Sequence, residues 1–186
     1  SVGRLTTRKG LREFVEQSLP AIVRAEPSTM LVVVGEAPKN SLGAGIQSVE
    51  SIQAQANRSG VGKHIRFLGV ITDPVLLATA YEAADVHVFP VRHIADDPEG
   101  FGMVAIEAAA HGLPTVAFAT GGVVDAVSDG LSGCLVANED YLSFAISTLD
   151  IISGDTYRQY SERAIVFSKQ FAWSKMGKNV FASLIK

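Results

Sequence analysis

Glu99 and Glu107 bracket a Gly-Phe-Gly turn in the stretch EGFGMVAIE, where two carboxylates meet a glycine-rich helix start. Such a turn aims free backbone N–H groups and the positive end of the helix dipole at whatever lies above it, which suits a phosphate. Glu107 falls about 7.5 Å further along the helix at about 1.5 Å per residue. Helical side chains lean back toward the N-terminus, so its carboxylate can meet a group attached to that phosphate. Carboxylates accept hydrogen bonds from hydroxyls, and sugars are made of hydroxyls. Together these residue types read as a grip for a nucleotide sugar, with phosphates at the turn, ribose on Glu107 and the transferred sugar on Glu99. Arg4 and Lys9 flank the first strand-to-helix turn, where a guanidinium and an ammonium both reach a pyrophosphate at a neighbouring strand end. Without the carboxylate motif they would read as surface charges, and Glu107 alone reads equally as a solvent-facing residue.

Other chemistries fit less well. GFGMVA at 100–105 matches the dinucleotide fingerprint G-x-G-x-x-G/A, but that motif follows a first strand directly, whereas here the strand is about the fourth and the loop RHIADDPE intervenes. A glycosidase dyad uses two carboxylates yet has no need of an anion site between them. His93, Asp96 and Asp97 lack the spaced ligand set of a closed metal site and read as a solvated loop. His64, His87 and His111 read as structural. Gly121-Gly122 before a helix reads as a weaker anion site or as a plain tight turn.

The elements that must position these groups follow a β-α rhythm. Buried strands are expected at Val2–Leu5, Met30–Gly35, Ile65–Leu68, Val86–Pro90, Thr115–Ala119 and Cys134–Val136, and helices at 10–26, 45–59, 74–84, 102–112 and 122–128. The implied fold is α/β, a doubly wound, Rossmann-like parallel sheet that binds ligands at the carboxyl ends of its strands. Three terminal helices are expected at Tyr141–Ile152, Asp155–Gln170 and Trp173–Ile185, with Phe171 and Trp173 packing at the start of the last, against an absent domain. The 186 residues suffice for one α/β domain and are short for two. A net charge of −3 argues against a nucleic-acid partner. The 47% apolar content is high for a small solvated domain, although no apolar run approaches the roughly 18 residues a membrane span needs. The excess reads as a face meant for another domain, and the chain opens one residue before a strand without Met or a signal segment, which reads as the second half of a longer protein. Its one cysteine, Cys134, cannot form an internal disulfide, which fits a reducing compartment.

The E-x7-E motif, HGLPTVAFATGGVVDAVSDGLSGCLV at 111–136 and VGRLTTRKG at 2–10 resemble the C-terminal half of a family 4 (group 1) retaining glycosyltransferase of GT-B architecture. The resemblance covers nearly the whole chain, and one departure is Asp125, where the family often has Glu. It implies a donor-binding domain for a nucleoside-diphosphate sugar, UDP- or GDP-linked, with no metal and no other cofactor. By resemblance Glu99 holds the hydroxyls of a hexose-type sugar, Phe101, Gly102 and Met103 form the N–H turn, Glu107 orients the ribose, and Arg4 and Lys9 bind the diphosphate. Lys9 rather than Arg8 matches because it directly precedes Gly10. Phe67 would lie at the nucleobase, although core packing accounts for it equally. The acceptor, a glycan, lipid or small molecule, would be held by the missing N-terminal domain, toward which the helix at 173–185 packs. The resemblance also implies a cytoplasmic enzyme, at times at the inner membrane face, whose isolated half is inactive and self-associates through the exposed interdomain face. A noncatalytic nucleotide-binding or docking module, and an epimerase or phosphorylase on the same architecture, are the alternatives.

Overall fold

The structure, a computed structural model, describes residues 1–38, 45–153, 156–172 and 175. Its strands are β1 (Leu31–Val34), β2 (Ile65–Gly69), β3 (His87–Phe89), β4 (Thr115–Phe118) and β5 (Gly133–Val136). The helices are α1 (Leu11–Gln17), α2 (Leu19–Ala25), α3 (Val49–Arg58), α4 (Pro74–Glu82), α5 (Met103–Ala110), α6 (Val123–Ala126), α7 (Tyr141–Ser153) and α8 (Tyr157–Ser168). All strand pairs are parallel: β1 lies beside β2, and β3, β4 and β5 follow in order. Helices link the parallel neighbours and cover the sheets, as the run of β-branched apolar strands predicts.

Two expected elements differ. Val2–Leu5 is not a full strand: Val2 makes a single parallel bridge to Val34, with Gly3 N–H donating to Val34 O at 2.9 Å and Leu5 N–H to Glu36 O at 3.0 Å. The segment therefore follows the edge of β1 without a ladder to β3, and the strands form a hydrogen-bonded pair, β1 with β2, and a triplet, β3 to β5. The helix expected over 10–26 is broken at Ser18, between α1 and α2. Pro20 has no N–H to continue the ladder, and the buried Ser18 hydroxyl donates to Tyr141 O at 2.8 Å, fixing the bend against α7. The helix expected at 173–185 lies outside the described residues.

The main core gathers Leu11, Phe14, Leu19, Ile22, Val33, Ile52, Ile65, Phe118 and Phe144 around the strands. Phe144 packs edge-on against Phe14 at 5.3 Å and Phe118 at 5.0 Å, so α7 closes the core over α1 and β4. Each such buried aromatic contributes about 1.5–3 kcal/mol by burial alone. Phe171, expected to face an absent domain, instead packs within this one: its ring lies 5.3 Å from Phe101 and 5.2 Å from Phe167. It thereby braces the turn before α5 from behind.

Candidate functional site

Two glycines bring the site loops together. Gly10, in the left-handed region at φ 63°, lies so close to Pro90 that an added Cβ would meet its carbonyl oxygen at 2.2 Å, which seats the residues before α1 on the carboxyl end of β3. A Cβ on Gly122 would meet the Gly100 carbonyl oxygen at 1.5 Å, so the turn before α6 is locked against the turn before α5. The Gly122 N–H itself donates to Glu99 O at 3.2 Å, which makes Gly121-Gly122 a structural turn rather than a second free anion site.

On this frame Glu99, Arg8 and Lys9 converge. Glu99 Oε2 sits 2.9 Å from Lys9 Nζ and 3.2 Å from Arg8 Nε, and the side chains are 11%, 15% and 13% exposed. Arg8 also pairs with Asp97 and donates to Pro98 O at 3.1 Å, while its own carbonyl accepts from Arg92 N–H at 2.8 Å. One guanidinium thus straps the loop that carries Glu99. Lys9 lies 4.7 Å over the Phe89 ring, and burial lowers its pKa below the ordinary lysine value even though Glu99 pulls it back up. Arg4 is exposed and makes no ion pair among the described residues. Its charge is available to an anion.

The start of α5 fits that anion. Gly102, the N-cap, is in the left-handed region at φ 80°, and no side chain caps the helix. The first-turn N–H groups therefore have no side-chain acceptor, which is the arrangement an anion satisfies. Met103 is exposed there, and Phe101 is half-buried with its ring held by Phe171. Glu107 is exposed one turn further on, and the Tyr81 hydroxyl donates to its Oε2 at 3.0 Å. Phe67 stands apart. Its half-buried ring packs on the main core, whereas the neighbouring Leu68 is exposed at the end of β2.

The structure thus joins Glu99 and Lys9 directly and places Phe101, Gly102 and Met103 at the start of α5, while Glu107 lies a turn further along that helix, in contact with Tyr81, and makes no contact with Glu99, Lys9 or Arg4 among the described residues. Sequence reasoning passed over three contributors. Arg8 was set aside for its neighbour, although both cations reach Glu99. Asp97, assigned to a solvated loop, is the second anchor of Arg8. Tyr81 lies 26 residues from its partner on a different helix, and no local spacing links them. The histidines are structural in their contacts: His64 Nδ1 lies 2.9 Å from Thr29 O, and buried His87 lies 3.1 Å from Thr115 Oγ1. Burial, helped by the charge of Lys9, holds the His87 pKa well below the ordinary value, so the ring is neutral. Among the described residues no group of three His, Cys, Asp or Glu is arranged to hold a metal ion, and no helix is long and apolar enough to cross a membrane.

The described residues form a parallel α/β domain with cations and an uncapped helix start at its strand ends. The chain belongs to the glycosyl transferases group 1 family, whose model matches residues 1–153. It is 31% identical over 180 residues to a D-inositol 3-phosphate glycosyltransferase of Corynebacterium urealyticum, a match that takes in 96% of this chain and 40% of that one. The chain therefore spans well under half the length of that curated relative. Among solved structures it is similar to the Anabaena protein HepE in complex with UDP, at a TM-score of 0.79 and 24% identity over 98% of this chain and 48% of that one. It also matches the C-terminal domain of a group 1 family glycosyl transferase from Francisella tularensis, at a TM-score of 0.74 and 24% identity, covering 91% of this chain and 83% of that domain. The fold is that of the C-terminal half of a GT-B glycosyltransferase.

Proposed function

We propose that this chain is the donor-binding domain of a retaining glycosyltransferase that moves a hexose-type sugar from a nucleoside-diphosphate sugar to an acceptor hydroxyl. The observation that carries it is the convergence of Lys9 and Arg8 on Glu99 beside the uncapped start of α5. In this reading Arg4, Lys9 and the N–H groups from Phe101 to Met103 bind the diphosphate, Glu107 accepts from the ribose, and the free oxygen of Glu99 accepts from the sugar. The acceptor oxygen attacks the anomeric carbon on the face from which the phosphate leaves. The bond to the phosphate oxygen breaks, the bond to the acceptor forms, and the acceptor proton passes to the departing phosphate. Arg4 and Lys9 stabilise the charge that grows on that phosphate, and preorganised cations are effective there because they need not reorient. None of these residues is a nucleophile.

The nucleotide of the donor is UDP or GDP. The acceptor, a glycan, lipid or small molecule, is assigned to a further domain, and the enzyme to the cytoplasm or the inner face of the membrane. Exposed Leu68, Val70, Val75 and Leu76 around the end of β2 and the start of α4 support an interdomain face at the strand ends. Titration of the chain with UDP, GDP and their sugar conjugates, followed by mass spectrometry with a panel of acceptors, tests the reading. Nucleotide binding without acceptor-dependent product is expected from this half alone, since one wall of a cleft cannot fix an acceptor or exclude water. Absence of binding by every nucleotide would refute the site; efficient transfer by this chain alone would refute the half-enzyme assignment.

A further inference from the structure

The geometry points to Tyr81 as a positioning residue that presets the Glu107 carboxylate for the ribose. This rests on the assignment of Glu107 above and adds the group that aims it. Tyr81 is 3% exposed near the end of α4, and its ring is fixed on two sides. His111 stacks on it at 5.5 Å with planes 9° apart, and His87 meets it edge-on at 6.4 Å. His111 is itself anchored, with Nδ1 3.1 Å from Glu82 Oε1. The phenol is therefore a rigid donor, and its one acceptor among the described residues is Glu107 Oε2 at 3.0 Å. Burial, then the Glu107 charge, raises the phenol pKa, so the hydroxyl keeps its proton and always donates.

Glu107, by contrast, is exposed on its helix. An exposed glutamate samples several rotamers, and confining it only when ligand arrives would cost affinity. Tyr81 confines it beforehand. By occupying Oε2 it leaves Oε1 as the acceptor for a ribose hydroxyl, and a carboxylate has lone pairs enough for both. The gain is preorganisation rather than a direct contact with nucleotide.

The test is a double-mutant cycle of Tyr81→Phe and Glu107→Gln, read by titration calorimetry with UDP, GDP and their 2′,3′-dideoxy analogues, with thermal melts as a check on folding. Tyr81→Phe keeps the ring, so the stacking survives. About a fivefold loss of UDP or GDP affinity is expected, equal to about 1 kcal/mol at 1.4 kcal/mol per tenfold. No loss is expected for the dideoxy analogue, and no further loss in the Glu107→Gln background. A purely structural Tyr81 would weaken ribose and dideoxy ligands alike, and that result overturns the positioning role. So does a Tyr81→Phe protein that binds like wild type while Glu107→Gln binds weakly. If Glu107→Gln binds UDP and GDP as tightly as wild type, it is the ribose assignment that fails, and the positioning role falls with it.

Discussion

Replacing Glu99 by Gln separates the sugar from the phosphates, and the structure gives the expected signs. The carboxylate holds Lys9 at 2.9 Å and Arg8 at 3.2 Å. Lys9 divides its three N–H donors between this carboxylate and a diphosphate, so Glu99 competes with the ligand for that cation. A hydrogen bond to a charged partner contributes about 1.5–3 kcal/mol and a neutral one about 0.5–1.5 kcal/mol. The amide therefore releases Lys9 more easily by about 1 kcal/mol, which is about fivefold tighter binding of UDP or GDP without sugar. The sugar conjugate should show the reverse, because its hydroxyls lose a charged acceptor, and in the full-length enzyme transfer should fall by about a hundredfold or more. Folding also responds. With Lys9 and Glu99 only 15% and 11% exposed, losing the counter-charge is costly, but Asp97 still holds Arg8. The net loss should be about 1–2 kcal/mol, below the about 3–5 kcal/mol of a fully buried pair, and should lower Tm by about 2–8 °C. Calorimetry on the folded variant decides the matter. Clearly weaker binding of the bare nucleoside diphosphate would show that Glu99 helps rather than opposes Lys9, and an undiminished preference for the sugar conjugate would remove Glu99 from the sugar.

Glu107→Gln should weaken nucleoside diphosphate binding by about 1.5–3 kcal/mol while the melting curve stays put, as calorimetry and a thermal scan together would show. Because burial lowers the Lys9 pKa, diphosphate affinity should decline with rising pH through a value below that of an ordinary lysine, and Lys9→Arg should move the decline to higher pH in a pH series of titrations. Gly122→Ala drives a Cβ to 1.5 Å from the Gly100 carbonyl and should cost about 3 kcal/mol or more, seen as a lower denaturant midpoint or loss of soluble protein.

The order of elements and the residue types of the candidate site were legible in the chain because they are written in local patterns. Apolar β-branched runs separated by amphipathic segments define parallel strands and their crossovers whatever the rest of the molecule does, and β1 to β5 lie where those runs are. The E-x7-E spacing and the glycines before α5 likewise carry their own geometry, since a helix start exposes N–H groups by construction. The break at Ser18 was signalled by Pro20, two residues on, and was missed because the apolar period continues through it.

What only the tertiary structure decided is which long-range partners meet. Arg8 and Lys9 are adjacent, and only the seating of Gly10 on Pro90 brings both onto Glu99. Phe171 packs on Phe101 because α8 returns across the back of α5, a contact across 70 residues of chain. Tyr81 finds Glu107 because two crossover helices end side by side, and the hydrogen bond between them has no trace in either helix's own period. Residue type and spacing along one element determined what chemistry was available. The packing of separate elements, driven by burial that is blind to sequence distance, determined which groups share it.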